Sequence, residues 1–390
     1  MKKLVVYTSS RADYGLLRPL IDRLKKSPAV KPVLFVTGTH LSEQYGRTID
    51  EIKAEHADII GAEVNHSLGG QDYIDTAKAM SEALLAYAQN LQMIKPDYAL
   101  VLGDRYEAMS FGLACATLMI PIFHIHGGEL TYGALDDKFR HCLTKLSDYH
   151  FASCEKYRKR IIQMGENPDC VYNVGALGVD NALNASLLSK AELEKQLGFS
   201  LAPETYLVTF HPETNSVDFG APLLKAMLKK IYERVDQHQA LVIITGVNSD
   251  VGANVVRNEI ENFVKSNPAK IKYFESLGML KYLTCLKYAT AVVGNTSSGI
   301  LEAHSLGTPA LNIGHRQDGR ERELSVVDLV TTDNIEAFDF KSLSNLKKGL
   351  ILFYQSSLFG NGQSSTLITR YIEDIVTRHQ VPKFKMFYDL

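Results

Sequence analysis

Two short stretches concentrate more chemistry than any others in the chain: Gly103-Asp104-Arg105 and His124-Ile125-His126-Gly127-Gly128-Glu129. Each follows an apolar run that reads as a buried strand, Tyr98–Leu102 before the first and Ile120–Phe123 before the second. An open parallel sheet binds its ligands at the carboxyl ends of its strands. Asp, Arg, His and Glu gathered at two neighbouring strand ends suit proton transfer on a charged small molecule. Asp104, His126 and Glu129 are therefore candidate acid–base residues. Downstream, Asp136-Asp137-Lys138-Phe139-Arg140-His141 sets Asp136 and Arg140 on one helical face. That pair either joins the site or forms an i,i+4 ion pair worth about 0.3–0.5 kcal/mol.

Other strand ends are built for anions. Ser9-Ser10-Arg11-Ala12-Asp13-Tyr14-Gly15 follows the first expected strand, Leu4–Tyr7, in a loop over Thr8–Asp13 that opens a helix to about Lys26. Backbone N–H groups and the helix dipole favour an anion there, and Arg11 adds a bidentate donor. Asp13 either takes part or caps the helix. His40 ends the second strand, and Arg105 adjoins Asp104. In the second half, His211-Pro212-Glu213-Thr214 and Gly246-Val247-Asn248-Ser249-Asp250 each follow a strand, making His211 and Asn248 candidates for binding. Val293–Glu302 passes from strand to helix through Asn295-Thr296-Ser297-Ser298-Gly299, whose N–H groups and hydroxyls suit a diphosphate. A plain Ser N-cap is the alternative. Glu302, one turn in, is placed to accept from ribose hydroxyls, and Gly314–Arg320 brings two cations, Arg316 first, to the next strand end.

Such residues need a scaffold that delivers strand ends side by side. Strands are expected at 4–7, 32–37, 98–102, 120–125, 149–153 and 171–174, with a long helix over Ile74–Ile94. A second series is expected at 206–210, 240–245, 271–274, 291–294 and 309–313. With 390 residues, the chain suits two domains rather than one core. The reading is α/β, with two Rossmann-like doubly wound domains facing a cleft, over 1–178 and 179–364. Val179–Pro203 is the expected linker and hinge, and a helix over 365–380 is expected to pack back on the first domain.

Composition removes whole classes of function. Hydrophobic content of 45%, charged content of 22% and a net charge of −2 suit a globular protein with no basic excess for nucleic acid. No run approaches a membrane span, and the opening residues hold too few apolar side chains for a signal-peptide core. Five cysteines, odd in number and without a C-x-x-C pair, argue against a disulfide framework or structural zinc and for a reducing cytoplasm. There is no G-x-G-x-x-G with a partnering acid, no P-loop and no G-x-S-x-G elbow. No ligand spacing suggests a catalytic metal, so neither cofactor nor metal is expected.

The motifs Ser10–Gly15, Val36–His40, Gly103–Arg105, His124–Glu129, Arg140-His141, His211–Thr214, Gly294–Glu302 and Arg316-Gln317 run in an order that resembles hydrolysing UDP-N-acetylglucosamine 2-epimerases. The likeness spans nearly the whole chain and is nearest to bacterial sialic-acid and legionaminic-acid pathway enzymes. It implies a glycosyltransferase-B type fold and release of UDP and free N-acetylmannosamine, by elimination to a glycal and hydration with C2 inversion. On that reading Asp104, His126 and Asp136, with Glu129, handle protons, and Arg140 orients or charges the site. Arg11, Asp13, His40, Arg105, His211, Asn248, Ser297, Ser298, Gly299, Glu302 and Arg316 would bind the nucleotide sugar. His126 stands where many members carry Glu. The alternatives are the same reaction on a UDP-2,4-diacetamido-trideoxy-glucose or on GDP-N-acetylglucosamine, a glycosyltransferase of this fold, and a non-catalytic nucleotide-sugar-binding protein. The resemblance also implies a homodimer or homotetramer.

Overall fold

The computed structural model describes residues 1–69, 72–350, 357–378 and 385–390. Its backbone builds two parallel sheets. The first contains β1 (Lys2–Thr8), β2 (Val30–Thr37), β3 (Ile60–Val64), β4 (Tyr98–Leu102), β5 (Ile122–Ile125), β6 (Tyr149–Ala152) and β7 (Val171–Asn173), ordered β3-β2-β1-β4-β5-β6-β7. The second contains β8 (Thr205–Thr209), β9 (Leu241–Thr245), β10 (Ile271–Phe274), β11 (Ala291–Gly294), β12 (Ala310–Ile313) and β13 (Val326–Leu329), ordered β10-β9-β8-β11-β12-β13. Each unit thus places its first strand centrally and winds outward in both directions, the doubly wound Rossmann-like pattern.

Alternation along the central strands explains the layers. Leu4 and Val6 of β1 join Leu17, Leu20 and Ile21 of the helix Arg11–Leu24 on one face, while Val5 and Tyr7 join Ala83, Tyr87 and Leu91 of the helix Tyr73–Ile94 on the other. In the second sheet Val242 and Ile244 point to one core and Leu241 and Ile243 to the other. Strands covered on both faces read as unbroken apolar runs, which is why the central ones are visible in the sequence. The outer strands β3 and β13 escaped that reading. Ile-Gly-Ala-Glu-Val and Val-Val-Asp-Leu are half solvated at sheet edges and show no such run.

The first compact unit comprises Met1–Glu129, Asp136–Asn181 and Phe359–Leu390; the second comprises Leu130–Leu135 and Ala182–Leu358. The stretch Val179–Pro203, expected as a linker, contains the point Asn181/Ala182 where the chain passes from the first unit to the second, and it carries helical segments. Helices span Leu177–Asn184 and Lys190–Leu197, the second started by a capping box in which Ser189 and Glu192 satisfy each other's backbone N–H. The first loop is also shorter than expected, because the helix already begins at Arg11. The last helix, Ser364–Thr377, belongs to the first unit, with Ile368, Ile372 and Val376 in the core beside Leu17 and Leu24. Arg23 Nε donates to Ser365 Oγ at 3.0 Å, and Asp180 Oδ2 accepts from Ser365 N at 2.7 Å. Residues 379 and 380 of the expected helix lie outside the described residues.

In each sheet the winding direction reverses beside the first strand, between β1 and β4 and between β8 and β11. A crevice opens at the carboxyl end of such a switch point. Ser9–Asp13 and Gly103–Arg105 flank the first of these positions, and His211–Thr214 and Asn295–Gly299 the second.

Truncating Ile372, fully buried in the returning helix, leaves a cavity beneath Arg11–Leu24. Ile372→Ala is expected to cost about 2–4 kcal/mol, read as a lowered urea midpoint of the first unit's transition. An unchanged midpoint would detach that helix from the core.

Candidate functional site

The turn after β1 is organised by Asp13. Ser10 caps the helix Arg11–Leu24, and Asp13 returns the bond by accepting from Ser10 N at 3.0 Å and from Ser9 N and Oγ at 3.2 and 2.9 Å. Burial raises the Asp13 pKa, opposed by the charge of Arg105 and by those donors. The capping alternative for Asp13 is therefore present in the structure. Arg11 lies in the first helical turn, and its charge is felt at His40. His40, expected among the ligand-binding residues, is wholly buried. Its Nε2 meets Thr8 Oγ1 at 2.8 Å and its Nδ1 meets Thr48 Oγ1 at 2.7 Å. Burial first, then Arg11, lowers its pKa to about 3. With both ring nitrogens engaged by hydroxyls, this histidine joins the end of β1 to the turn after β2.

After β4, Asp104 forms an ion pair with Arg140 Nη2. Arg105 is clamped by Glu107, a fully buried carboxylate that accepts from Nε at 3.2 Å and Nη2 at 3.3 Å. Within β5, His124 donates from Nε2 to the Gly103 carbonyl at 2.8 Å, which ties β5 to the turn after β4. The other nitrogen faces Thr144 Oγ1 at 3.3 Å, and burial lowers the His124 pKa to about 3. Gly127 is required by this packing, since a Cβ there would lie 2.9 Å from Thr144 Oγ1 and 3.0 Å from His124 Nδ1.

His126 itself adopts a left-handed backbone, φ +67°. A side chain in that region is uncommon and strained, and such strain gathers at functional sites. Its Nδ1 lies 3.4 Å from Glu129 Oε1, the same oxygen that accepts from Ser153 Oγ at 2.7 Å. Asp136 opens the helix Asp136–Leu146. From that helix Arg140, 1% exposed, reaches Asp104, the Glu129 carbonyl at 3.0 Å and Asp137 Oδ1 at 3.2 Å. Asp104, His126, Glu129 and Arg140 are thus joined by direct contacts.

The second unit gathers its own group. Asn295, fully buried after β11, accepts from His211 N at 2.7 Å and donates to His211 O at 2.8 Å, clamping the turn after β8. His211 Nδ1 accepts from Asn248 N at 3.2 Å, so the three turns after β8, β9 and β11 are linked. Thr296, not a serine, caps the helix Ser297–Leu301, with Ser298 N donating to Thr296 Oγ1 at 3.3 Å. Gly299 packs closely, since a Cβ there would lie 3.3 Å from the Ala310 Cβ. Ser298 and Glu302 are both buried, near the Tyr282 phenol, which burial pushes up to about 12. Arg316 Nη1 approaches Asn295 O at 3.4 Å, and Gln317 Nε2 donates to the same oxygen at 2.8 Å.

Five organising residues were not singled out from the sequence: Glu107, Ser153, Glu213, Asn295 and Gln317. Glu107, Glu213, Asn295 and Gln317 sit inside or beside the motifs; Glu107 meets Arg105 two residues away, whereas the partners of Glu213, Asn295 and Gln317 lie on turns distant in the chain. Among the described residues no cluster of three or more His, Cys, Asp or Glu side chains has the arrangement of a metal site. No helix of the described residues is long and apolar enough to cross a membrane.

Over residues 22–373 the chain matches the model of the UDP-N-acetylglucosamine 2-epimerase family. It is 37% identical over 338 residues to the GDP/UDP-N,N'-diacetylbacillosamine 2-epimerase (hydrolyzing) of Campylobacter jejuni, with 87% of each chain covered. It is 36% identical to polysialic acid biosynthesis protein P7 of Escherichia coli, covering 100% of this chain and 98% of that one. The S. aureus MnaA–UDP co-structure superposes with a TM-score of 0.76 at 17% identity, covering 100% of both chains, a likeness of fold.

His40 and His124 make stability depend on pH. Both hold folded pKa values of about 3, against an ordinary value of 6.5. Between those limits the unfolded chain binds more protons than the folded one. Stability is therefore full above pH 6.5 and falls below it, by up to about 1.4 kcal/mol per pH unit per histidine. Urea midpoints should drop steadily from pH 7 to pH 5; a flat profile would mean that these histidines are not buried neutral.

Proposed function

The chain belongs to the UDP-N-acetylglucosamine 2-epimerase family, and from that premise we propose that it is a hydrolysing 2-epimerase. It converts UDP-N-acetylglucosamine, or a close analogue, to UDP and the free 2-epimerised sugar, N-acetylmannosamine for that substrate, for sialic-acid-type sugar synthesis. The observation that carries the reading is the linked group at the ends of β4 and β5. Arg140 pairs with Asp104 and holds the Glu129 backbone, while the Glu129 carboxylate orients His126.

The chemistry asks for two proton transfers and a stabilised leaving group. Breaking the C1–O bond releases UDP, removal of the C2 proton leaves a C1=C2 double bond, and the product of this step is a glycal. Water then delivers hydroxide to C1 and a proton returns to C2 on the opposite face. Asp104, His126 and Asp136 are assigned these transfers. With Nδ1 directed at Glu129, His126 exchanges its proton through Nε2, and the carboxylate stabilises the imidazolium. Negative charge grows on the departing diphosphate, where cations and fixed N–H donors act most strongly. Arg11, Arg105, His211, Asn248, Ser297, Ser298 and Arg316 are assigned that work, with Gly299 admitting the ligand closely and Glu302 receiving the ribose hydroxyls. Elimination and hydration move only protons and a leaving group, so this reading calls for no redox cofactor.

One observation favours a second substrate. The C. jejuni relative, at 37% identity, is named for diacetylbacillosamine carried on GDP or UDP. A 2,4-diacetamido sugar nucleotide is therefore the substrate to test beside UDP-N-acetylglucosamine.

Proton NMR of the protein with each sugar nucleotide in D2O should show released nucleoside diphosphate and a free 2-epimerised sugar carrying deuterium at C2. Recovery of intact epimerised sugar nucleotide would replace hydrolysis with simple epimerisation, and no turnover of any candidate would overturn the enzymatic reading. Asp104→Asn should lower kcat by about 10²–10⁴-fold while UDP affinity, measured by calorimetry, stays within a few fold. Equal loss of UDP affinity would move Asp104 from proton transfer to binding.

A further inference from the structure

Glu213 lies in the turn after β8, and no step above uses it. Its side chain is buried, 4% exposed. A single oxygen, Oε1, accepts from His315 N at 2.7 Å and from Arg316 N at 3.3 Å, two successive amides of the turn after β12. Two left-handed glycines make room for it. A Cβ on Gly314 (φ +82°) would run into Oε1, and one on Gly220 (φ +78°) would lie 3.2 Å from Glu213 Cγ and Cδ. Burial raises the Glu213 pKa, and the His315 amide is the leading force opposing it. The turn that it holds carries Arg316, whose Nη1 approaches Asn295 O, the residue preceding the Thr296–Gly299 cradle.

We infer that Glu213 is a positioning residue for nucleotide binding: by fixing the His315 and Arg316 backbone it sets the Arg316 guanidinium for a diphosphate that Glu213 itself never touches. The inference rests on the nucleotide-sugar reading for its ligand, but on the turn geometry for its cause. A carboxylate facing a diphosphate would repel it. Buried beneath two amides, Glu213 spends its charge on N–H groups instead. Because both bonds end on one oxygen, an amide side chain of the same length retains the acceptor. A shorter carboxylate retains the charge and withdraws the acceptor.

That contrast defines the experiment, made on the full chain with variants that each keep a polar side chain. Glu213→Gln should bind UDP within about twofold of the parent, because one acceptor serves both amides. Glu213→Asp should bind UDP about tenfold more weakly, and its KM for sugar nucleotide should rise by more than its kcat falls. Hydrogen–deuterium exchange at the His315 and Arg316 amides should accelerate in Glu213→Asp and not in Glu213→Gln. Parent-like UDP affinity and exchange in Glu213→Asp would overturn the inference. So would weaker UDP binding by Glu213→Gln than by Glu213→Asp, which would assign the effect to charge, or equal weakening in both, because Glu213→Gln retains the acceptor. If the parent protein binds no UDP, the functional reading falls, while the exchange comparison still decides whether Glu213 holds the turn.

Discussion

A guanidinium taken out of water must be given partners, and Arg140 imposes that demand on the first site. Only 1% of it remains exposed, yet it is met by a carboxylate after β4, a carbonyl after β5 and a carboxylate one turn back on its own helix. Removing one member of such a buried pair typically costs about 3–5 kcal/mol, because the other charge stays uncompensated. The two strand ends and the helix Asp136–Leu146 are thereby constrained together. Glu129 is held by its backbone in the same stroke, which fixes the carboxylate that faces His126.

Much of this was legible in the sequence, for reasons that also explain what was not. The central strands are apolar throughout because both faces are covered, so β4 and β5 and the residues after them were readable. Edge strands such as Ile60–Val64 carry no comparable signature. The helix Lys190–Leu197 lies in the stretch expected as a linker, although Ser189 and Glu192 mark its start with a capping box. Residue type alone could not separate a ligand-binding histidine from a structural one. The partners of His40, Thr8 and Thr48, reach its two nitrogens only by tertiary approach. Glu213 stands inside the motif His211–Thr214, but the amides it holds are about a hundred residues away.

The two sheets solve the same problem with the same order of strands. In each, the first strand and its outward neighbour on the other side part at a switch point, and a small-residue turn follows. What differs is the filling. The first unit's turns hold Asp104, His126 and Glu129 against the buried Arg140, whereas the second unit's hold an asparagine clamp, hydroxyls and backbone amides, with His211 and the Glu213 carboxylate bonded to the amides of neighbouring turns.

The first unit is written in three pieces of chain, and its third piece follows the whole of the second unit in sequence. On the ribosome, β1–β7 and the helix Arg11–Leu24 emerge early, but Ile368, Ile372 and Val376, which cover Leu17 and Leu24, arrive only after the second unit's strands have been translated. The order of birth is therefore the reverse of the order of completion. The second unit can close while the first still shows an uncovered apolar face to water, which is the kind of surface that recruits chaperones and invites aggregation.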